Sequence, residues 1–324
     1  MTIRRLVPAL ILLLAAAGCG LATQVPAASP PPPPVAKTTI TQPPPPAAAV
    51  IIENAPQARP QSGLDHAEVI YEMMTEGGIT RYLALFNLNA AQASVQVGPV
   101  RSARIYFVQL VHALGLPFAH AGGNVDALAA IGRLSIPNLD GLFAAAPYFQ
   151  RLTTRPAPHN LYTTLGAIRA GIMHFAYPLI PLPTWPTGGL PAGGTPTAKA
   201  TVLWAKNALY SYQTAFVWTG STFQYYVNGK PDLQADGQPI LDPTVVILQA
   251  VVSPDPDPYT PGSIKYALTS GPGWVLRQGQ RFAITWSFGA GGFSFQYGAQ
   301  TMPLAVGKVF VQVLTQNTTT RFTP

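Results

Sequence analysis

The sequence predicts an α+β fold, with a mixed α/β N-terminal domain followed by a mainly β C-terminal domain. Three observations carry this. Hydrophobic residues make up 48% of the chain and charged residues 10%, a balance that supports a large apolar core. Between 50 and 178, β-branched runs alternate with segments of helical period. From 200 to 324, short β-branched and aromatic runs recur at regular spacing, with turn dipeptides between them.

In chain order, Arg4 and Arg5 precede an apolar run at 6–17 and the small residues Ala16-Ala17-Gly18. This is the layout of a secretory signal peptide, assigned here to 1–18. The run is about twelve residues, short of the ~20 that span a bilayer as a helix. Cys19, the only cysteine, stands where a lipobox places its lipidated residue, although Ala16 replaces the commoner leucine three positions earlier. The alternative is a plain signal peptide with an incidental cysteine. The expected location is extracytoplasmic, lipid-anchored to the bacterial cell membrane. Residues 19–49 hold the lipidated cysteine and a Pro-rich linker with proline blocks at 30–34 and 43–46. Extended as polyproline II at ~3.1 Å per residue, this linker reaches up to roughly 90 Å. A single cysteine allows no disulfide within the chain, so the body depends on its core.

The N-terminal domain is placed at 50–178. Val50-Ile51-Ile52 reads as a strand. Runs at 69–75 and 80–88 flank Glu76-Gly77-Gly78 and read as a hairpin, with a short helix running into its first strand. Gly98-Pro99 breaks the chain, and 100–114 has the period of a helix. Residues 117–120 read as a strand, Asn124 as the cap of a helix at 125–134, and a third helix starts near Thr163 or Thr164 and runs to about His174. The stretch 179–199 is rich in Pro and Gly and reads as a loop or linker. The C-terminal domain, 200–324, carries strand-like runs at 215–217, 223–227, 245–252, 264–269, 274–277, 282–287, 293–297 and 309–314. Asn228-Gly229 and Asp236-Gly237 are turn signals.

Function is less legible. The formal charge of +7, with only six lysines, makes no nucleic-acid footprint. No P-loop, dinucleotide fingerprint, His-Glu-x-x-His or Gly-x-Ser-x-Gly occurs, and the histidines have no metal-ligand spacing. Neither a cofactor nor a metal is expected. Between 50 and 170, however, there are eight arginines and no lysine. Arginine's planar fork suits carboxylate or phosphate. Arg101 and Arg104, three apart, are expected on one face of the first turn of the 100–114 helix, where the dipole disfavours cations and demands an anionic partner. That partner is either protein (Glu53, Glu72 or Glu76) or a bound anion. Arg59, Gln61, Arg81, His159 and Asn160 join them as candidate ligand-binding residues. Glu72 and Glu76 are candidates both for binding and for acid/base work.

Four phrases hold these residues apart from Glu53 and Glu72: Arg59-Pro60-Gln61-Ser62-Gly63-Leu64, Glu76-Gly77-Gly78-Ile79-Thr80-Arg81, Gly98-Pro99-Val100-Arg101-Ser102-Ala103-Arg104 and Pro158-His159-Asn160-Leu161-Tyr162. In this order they resemble the YerB-like lipoprotein family, a domain-of-unknown-function family of bacterial surface proteins. The resemblance continues more loosely through Asp242-Pro243-Thr244-Val245-Val246-Ile247, Gly271-Pro272-Gly273-Trp274 and a stretch from Gly279 to Trp286, with Thr244 where the family usually has asparagine. It implies an α/β domain followed by a mainly β domain, and no established reaction, cofactor or partner. Three function classes stay open. The leading one is a binding or accessory factor at the cell envelope, with an arginine-lined site for an anionic or polymeric ligand such as a cell-wall polymer. The others are an envelope hydrolase or transferase using Glu72 or Glu76 with His159, and a protein-interaction module whose arginines are purely structural.

Overall fold

The structure, a computed structural model, describes residues 44–206 and 211–324. The expected signal peptide, Cys19 and the linker as far as Pro43 lie outside the described residues. Strand β1 (Ala47–Glu53) starts at Ala47 rather than Val50, and all seven of its residues are buried. β2 (Val69–Met74) and β3 (Thr80–Asn87) form the expected antiparallel hairpin, with β3 also paired to β1. The turn between them needs its glycines, since Gly77 and Gly78 have φ of 70° and 76°. The short helix expected before β2 is a single 3-10 turn, Leu64–His66.

The first helix is shorter than its sequence period suggested. α1 (Ile105–Leu114) begins at residue 105, with Arg104 as its extended N-cap residue. Val100 and Arg101 instead line the end of β1, and Ala103 bridges Gly123. Val100 bridges Ile52, and Arg101 N–H donates to the Ile51 carbonyl at 3.0 Å. Backbone donors taken by a strand edge are not free to start a helix. Arg101 and Arg104 therefore do not share a helix face, and the dipole argument for them fails. Beyond α1 come β4 (Phe118–His120), α2 (Val125–Arg133), β5 (Asn138–Asp140), β6 (Leu161–Thr164) and α3 (Leu165–His174). The Thr164 hydroxyl caps α3, accepting from the Ala167 N–H at 3.1 Å. Among the described residues no helix is long and apolar enough to cross a membrane.

The stretch after α3 runs as a strap along the body. Pro181 bridges Pro46, Thr187 bridges Leu304, and the Trp185 indole donates to the Phe293 carbonyl at 2.7 Å. Then follow β7 (Lys199–Lys206), β8 (Ser211–Trp218), β9 (Phe223–Val227), β10 (Thr244–Pro254), β11 (Ile264–Ala267), β12 (Ser270–Arg277), β13 (Gln280–Gly289), β14 (Gly292–Tyr297), β15 (Val309–Thr315) and β16 (Thr319–Thr323). Every strand-like run expected after residue 200 falls within one of these except the last two residues of 264–269. The expectation lacked β7 and β16, which pair with each other.

A large mixed sheet runs in the order β14-β13-β12-β10-β15-β2-β3-β1-β4-β5, with β11 added on β10. β15 is parallel to both of its neighbours, β10 and β2. It joins strands from the two ends of the chain, and residues 43–324 form one compact unit. A second sheet has the order β9-β8-β7-β16. Both faces of the large sheet are covered, so alternate residues of one strand enter different cores. Ile51, Tyr71, Met73 and Leu83 pack with α1 and α2, whereas Val50, Ile52, Ile70 and Tyr82 pack with α3 and the second sheet.

Candidate functional site

The four phrases meet at the C-terminal end of β1. Ser62 and Gly98 exchange two backbone hydrogen bonds of 2.8 and 3.1 Å, and Val100 N–H donates to the Leu161 carbonyl at 2.7 Å. Arg155 clamps the 152–160 loop onto the carbonyls of Ala58 and Pro60. Segments up to a hundred residues apart in sequence thereby bring their side chains to Glu53 and Glu76.

Glu53, almost fully buried, is shared by a guanidinium and an imidazole. Its Oε1 accepts from Arg101 Nε at 3.1 Å and its Oε2 faces His159 Nδ1 at 3.0 Å. The Arg101 side chain is 27% exposed, and its terminal nitrogens donate no hydrogen bond among the described residues. His159, with Nδ1 turned inward, has no hydrogen-bond partner on Nε2 among the described residues.

Glu76, in the hairpin turn, is held more completely. Arg104 grips both its oxygens: Nε donates to Oε2 at 2.9 Å and Nη2 donates to Oε1. Arg81 Nη2 donates to the same Oε1 at 2.8 Å. The remaining donors go to backbone, Arg104 Nη1 to the Ala103 carbonyl and Arg81 Nη1 to the Ser102 carbonyl, each at 2.8 Å. Burial works to raise the Glu76 carboxyl, but Arg81 and Arg104 outweigh it and hold it at about 2. Burial and the neighbouring Arg104 bring Arg81 down to about 10, which leaves it charged at neutral pH. The two clusters adjoin, since Arg81 is the β-ladder partner of Glu53.

Arg59 and Gln61 converge on Asn54. Arg59 donates through Nε to Asn54 Oδ1 and through Nη2 to the Asn54 carbonyl, both at 2.9 Å, and lies 5.0 Å over the Tyr212 ring. Gln61 Nε2 reaches Asn54 Oδ1 at 3.0 Å. Asn160 is used as a brace: its Oδ1 accepts from Arg151 at 2.8 Å and its Nδ2 donates to the Leu152 carbonyl at 3.0 Å.

Glu72 stands apart from Glu76, fully enclosed between the two sheets. Tyr212 (2.7 Å), Thr80 (2.8 Å) and Asn54 (3.3 Å) donate to its Oε1, and Gln312 (2.7 Å) and Tyr225 (2.9 Å) to its Oε2. Burial raises this carboxyl, and the hydrogen bonds from Tyr212, Gln312, Thr80 and Tyr225 offset only part of the rise. The sequence pointed to none of Asn54, Tyr212, Tyr225 or Gln312. Asn54 follows the end of β1, the other three come from separate strands, and no local spacing connects them.

A cavity of about 630 Å³ lies elsewhere, lined by Gln109, His112, Tyr266 and Phe288, and one of about 320 Å³ is lined by Ser62, Gly63, His66 and Asp236. Asp65, His66 and Asp236 each offer a ligand atom within 4.8 Å of the others, although their spacing in sequence gave no sign of it.

Residues 34–177 match the family model described as "Protein of unknown function (DUF3048) N-terminal domain", and residues 200–311 match its C-terminal domain. The "Putative lipoprotein YerB" of Bacillus subtilis (strain 168) is 38% identical over 129 residues. That alignment covers 40% of this chain and 38% of the relative, so it spans well under half of the relative's length. The crystal structure of the YerB protein from Bacillus subtilis matches with a TM-score of 0.75 at 24% identity, covering 85% of this chain and 93% of that one. This second likeness is one of fold.

Proposed function

From the premise that the chain belongs to the two-domain family of unknown function DUF3048, we propose that it is a lipid-anchored binding factor of the bacterial cell envelope, with an anion site built on Arg101 and His159. The observation that carries this is how differently the arginines are used. Arg81 and Arg104 spend their donors on Glu76 and backbone carbonyls. Arg101 gives only Nε to Glu53 and keeps its two-nitrogen edge for a carboxylate or phosphate. Glu53 orients both Arg101 and His159 from behind, so neither has to be ordered when a ligand arrives. The signal-peptide layout and Cys19 support the anchor, as does the name of the Bacillus relative.

The structural reading of the network is favoured for Arg81 and Arg104 alone. Catalysis through Glu72 or Glu76 gains no support. Glu76 is neutralised by two guanidinium groups, and Glu72 has no exposed surface.

Native mass spectrometry of the protein incubated with envelope extract tests the site. An anionic adduct is expected on wild type and not on Arg101→Ala, and equal adducts on both would sink the proposal. Membrane fractionation of Cys19→Ala tests the anchor, with release of the protein or failure to process it as the expected result.

A further inference from the structure

His120 and His159 are used in different ways. The His120 ring is fully enclosed and spends both nitrogens on the protein, Nδ1 facing the Gly122 carbonyl and Nε2 facing Asn138 Oδ1, each at 2.8 Å. That is a histidine holding a loop. The His159 ring spends Nδ1 alone, on Glu53 Oε2 at 3.0 Å, and its side chain is 18% exposed. The backbone around it is held as well: the His159 N–H donates to the Pro156 carbonyl at 3.1 Å, and Arg155 ties the same loop to Ala58 and Pro60.

The Glu53 contact decides what the ring offers a ligand. The other oxygen of Glu53 carries the Arg101 guanidinium, so the group that faces the ring is a carboxylate. A carboxylate only accepts hydrogen bonds, so Nδ1 must hold the hydrogen and donate it. In a neutral imidazole the second nitrogen is then an acceptor with a bare lone pair. Nε2 therefore repels the oxygen of an anion and attracts an O–H. Arg101 is the opposite, since its terminal nitrogens only donate. One buried carboxylate thus fixes a donor-only guanidinium and an acceptor nitrogen as neighbours, one on each of its oxygens.

We propose, resting on the anion site argued above, that its ligand is a hydroxylated anion: Arg101 takes the charged group, and His159 Nε2 accepts a hydrogen bond from a hydroxyl close to it. A sugar acid and a polyol phosphodiester share this chemistry, whereas a bare carboxylate or phosphate lacks the hydroxyl. The charge of the rim agrees. The guanidinium groups of Arg81, Arg101 and Arg104 face the carboxylates of Glu53 and Glu76, which leaves one net positive charge for a singly charged ligand. His159 is then the residue that separates a hydroxylated anion from a plain one.

Isothermal titration calorimetry of the full chain in detergent, at about pH 8 where a free imidazole is neutral, tests this with two pairs of probes. Glucuronate is set against tetrahydropyran-2-carboxylate, and glycerophosphoglycerol against dipropyl phosphate, so that the members of each pair differ only in hydroxyls. In at least one pair the hydroxylated member is expected to bind about threefold to tenfold tighter, the worth of one added hydrogen bond. Which pair shows the preference tells a sugar acid from a phosphodiester. His159→Phe, which has no acceptor nitrogen, should bring the two members of that pair to equal affinity, and Arg101→Ala should abolish binding of both. The wild-type comparison needs no variant to fold. Equal affinities within both pairs would overturn the proposal and leave the anion site standing. So would a preference that survives His159→Phe at an unchanged melting temperature. No binding of any of the four probes by wild type would overturn the anion site and this proposal with it.

Discussion

Glu72 and Glu76 are four positions apart in one hairpin, and the molecule treats them in opposite ways. Glu76 sits at the rim, where two guanidinium groups cancel its charge and drive its pKa down to about 2. Glu72 sits between two sheets, surrounded by hydroxyls and amides, with no cation in contact and its pKa driven up. Both are saturated with hydrogen bonds. The difference lies in what opposes the carboxylate charge, a full counter-charge at the rim and only dipoles inside, where desolvation costs most. The rim arrangement positions charged groups at the surface, while the inner one joins two sheets.

The comparison can be tested, starting with the largest effect. Glu72→Ala should cost about 5 kcal/mol, because it opens a cavity and strips five donors of their acceptor. Urea unfolding would measure it, and a loss below 1 kcal/mol would show that the inner network does not hold the sheets together. Glu76→Ala should cost about 3 kcal/mol by leaving the buried Arg81 and Arg104 unpaired. Equal costs for the two variants would erase the distinction between rim and interior.

The pH dependence should run in opposite directions. Glu76 has its pKa depressed from an ordinary 4.5 to about 2. Its contribution is present above pH 4.5 and disappears as the pH falls toward 2, a loss of up to about 3 kcal/mol. Glu72 has its pKa raised, so its contribution is fully present below pH 4.5 and fades as the pH rises through its elevated value. Thermal melts between pH 2 and 8 should show the acid limb flattened in Glu76→Gln and the upper limb flattened in Glu72→Gln. The smallest effect belongs to the partly exposed Arg101. Arg101→Ala should change stability by about 0–1 kcal/mol while abolishing function in a complementation assay. A loss of several kcal/mol would move Arg101 into the scaffold beside Arg104.

Much of the fold was legible because its signals are local. The β-branched, aromatic and apolar runs at 69–75 and 80–88, punctuated by Glu76-Gly77-Gly78, sufficed for the hairpin. Asn228-Gly229 marked a turn in which both residues have positive φ, 47° and 79°. Helix α1 was drawn too long because Gly98-Pro99 was the last break before its apolar side, which begins only at Ile105, and the pairing of Val100 and Arg101 with β1 shows that the intervening stretch is extended. The rim was half legible, since charged residues in fixed phrases can be recognised as a set. Their assignment to Glu53 or Glu76 depends on which strand ends meet. The interior of the Glu72 network was not legible at all: its contact with Gln312 spans 240 residues and follows from the register of β2 against β15.

That register carries a consequence for how the molecule is made. β15, residues 309–315, lies between β2 and β10 in the large sheet. A chain synthesised from its N-terminus therefore produces one of this sheet's inner strands after all the others. Until that strand arrives, β2 and β10 each have an unpaired apolar edge, the kind of surface that recruits strands from other molecules. Cooperative closure of the sheet has to wait for residues 309–315, and the contacts that complete it are among the longest in range, which slows folding. A nascent chain stopped short of residue 309 would lack more than a tail, because its sheet would be open in the middle.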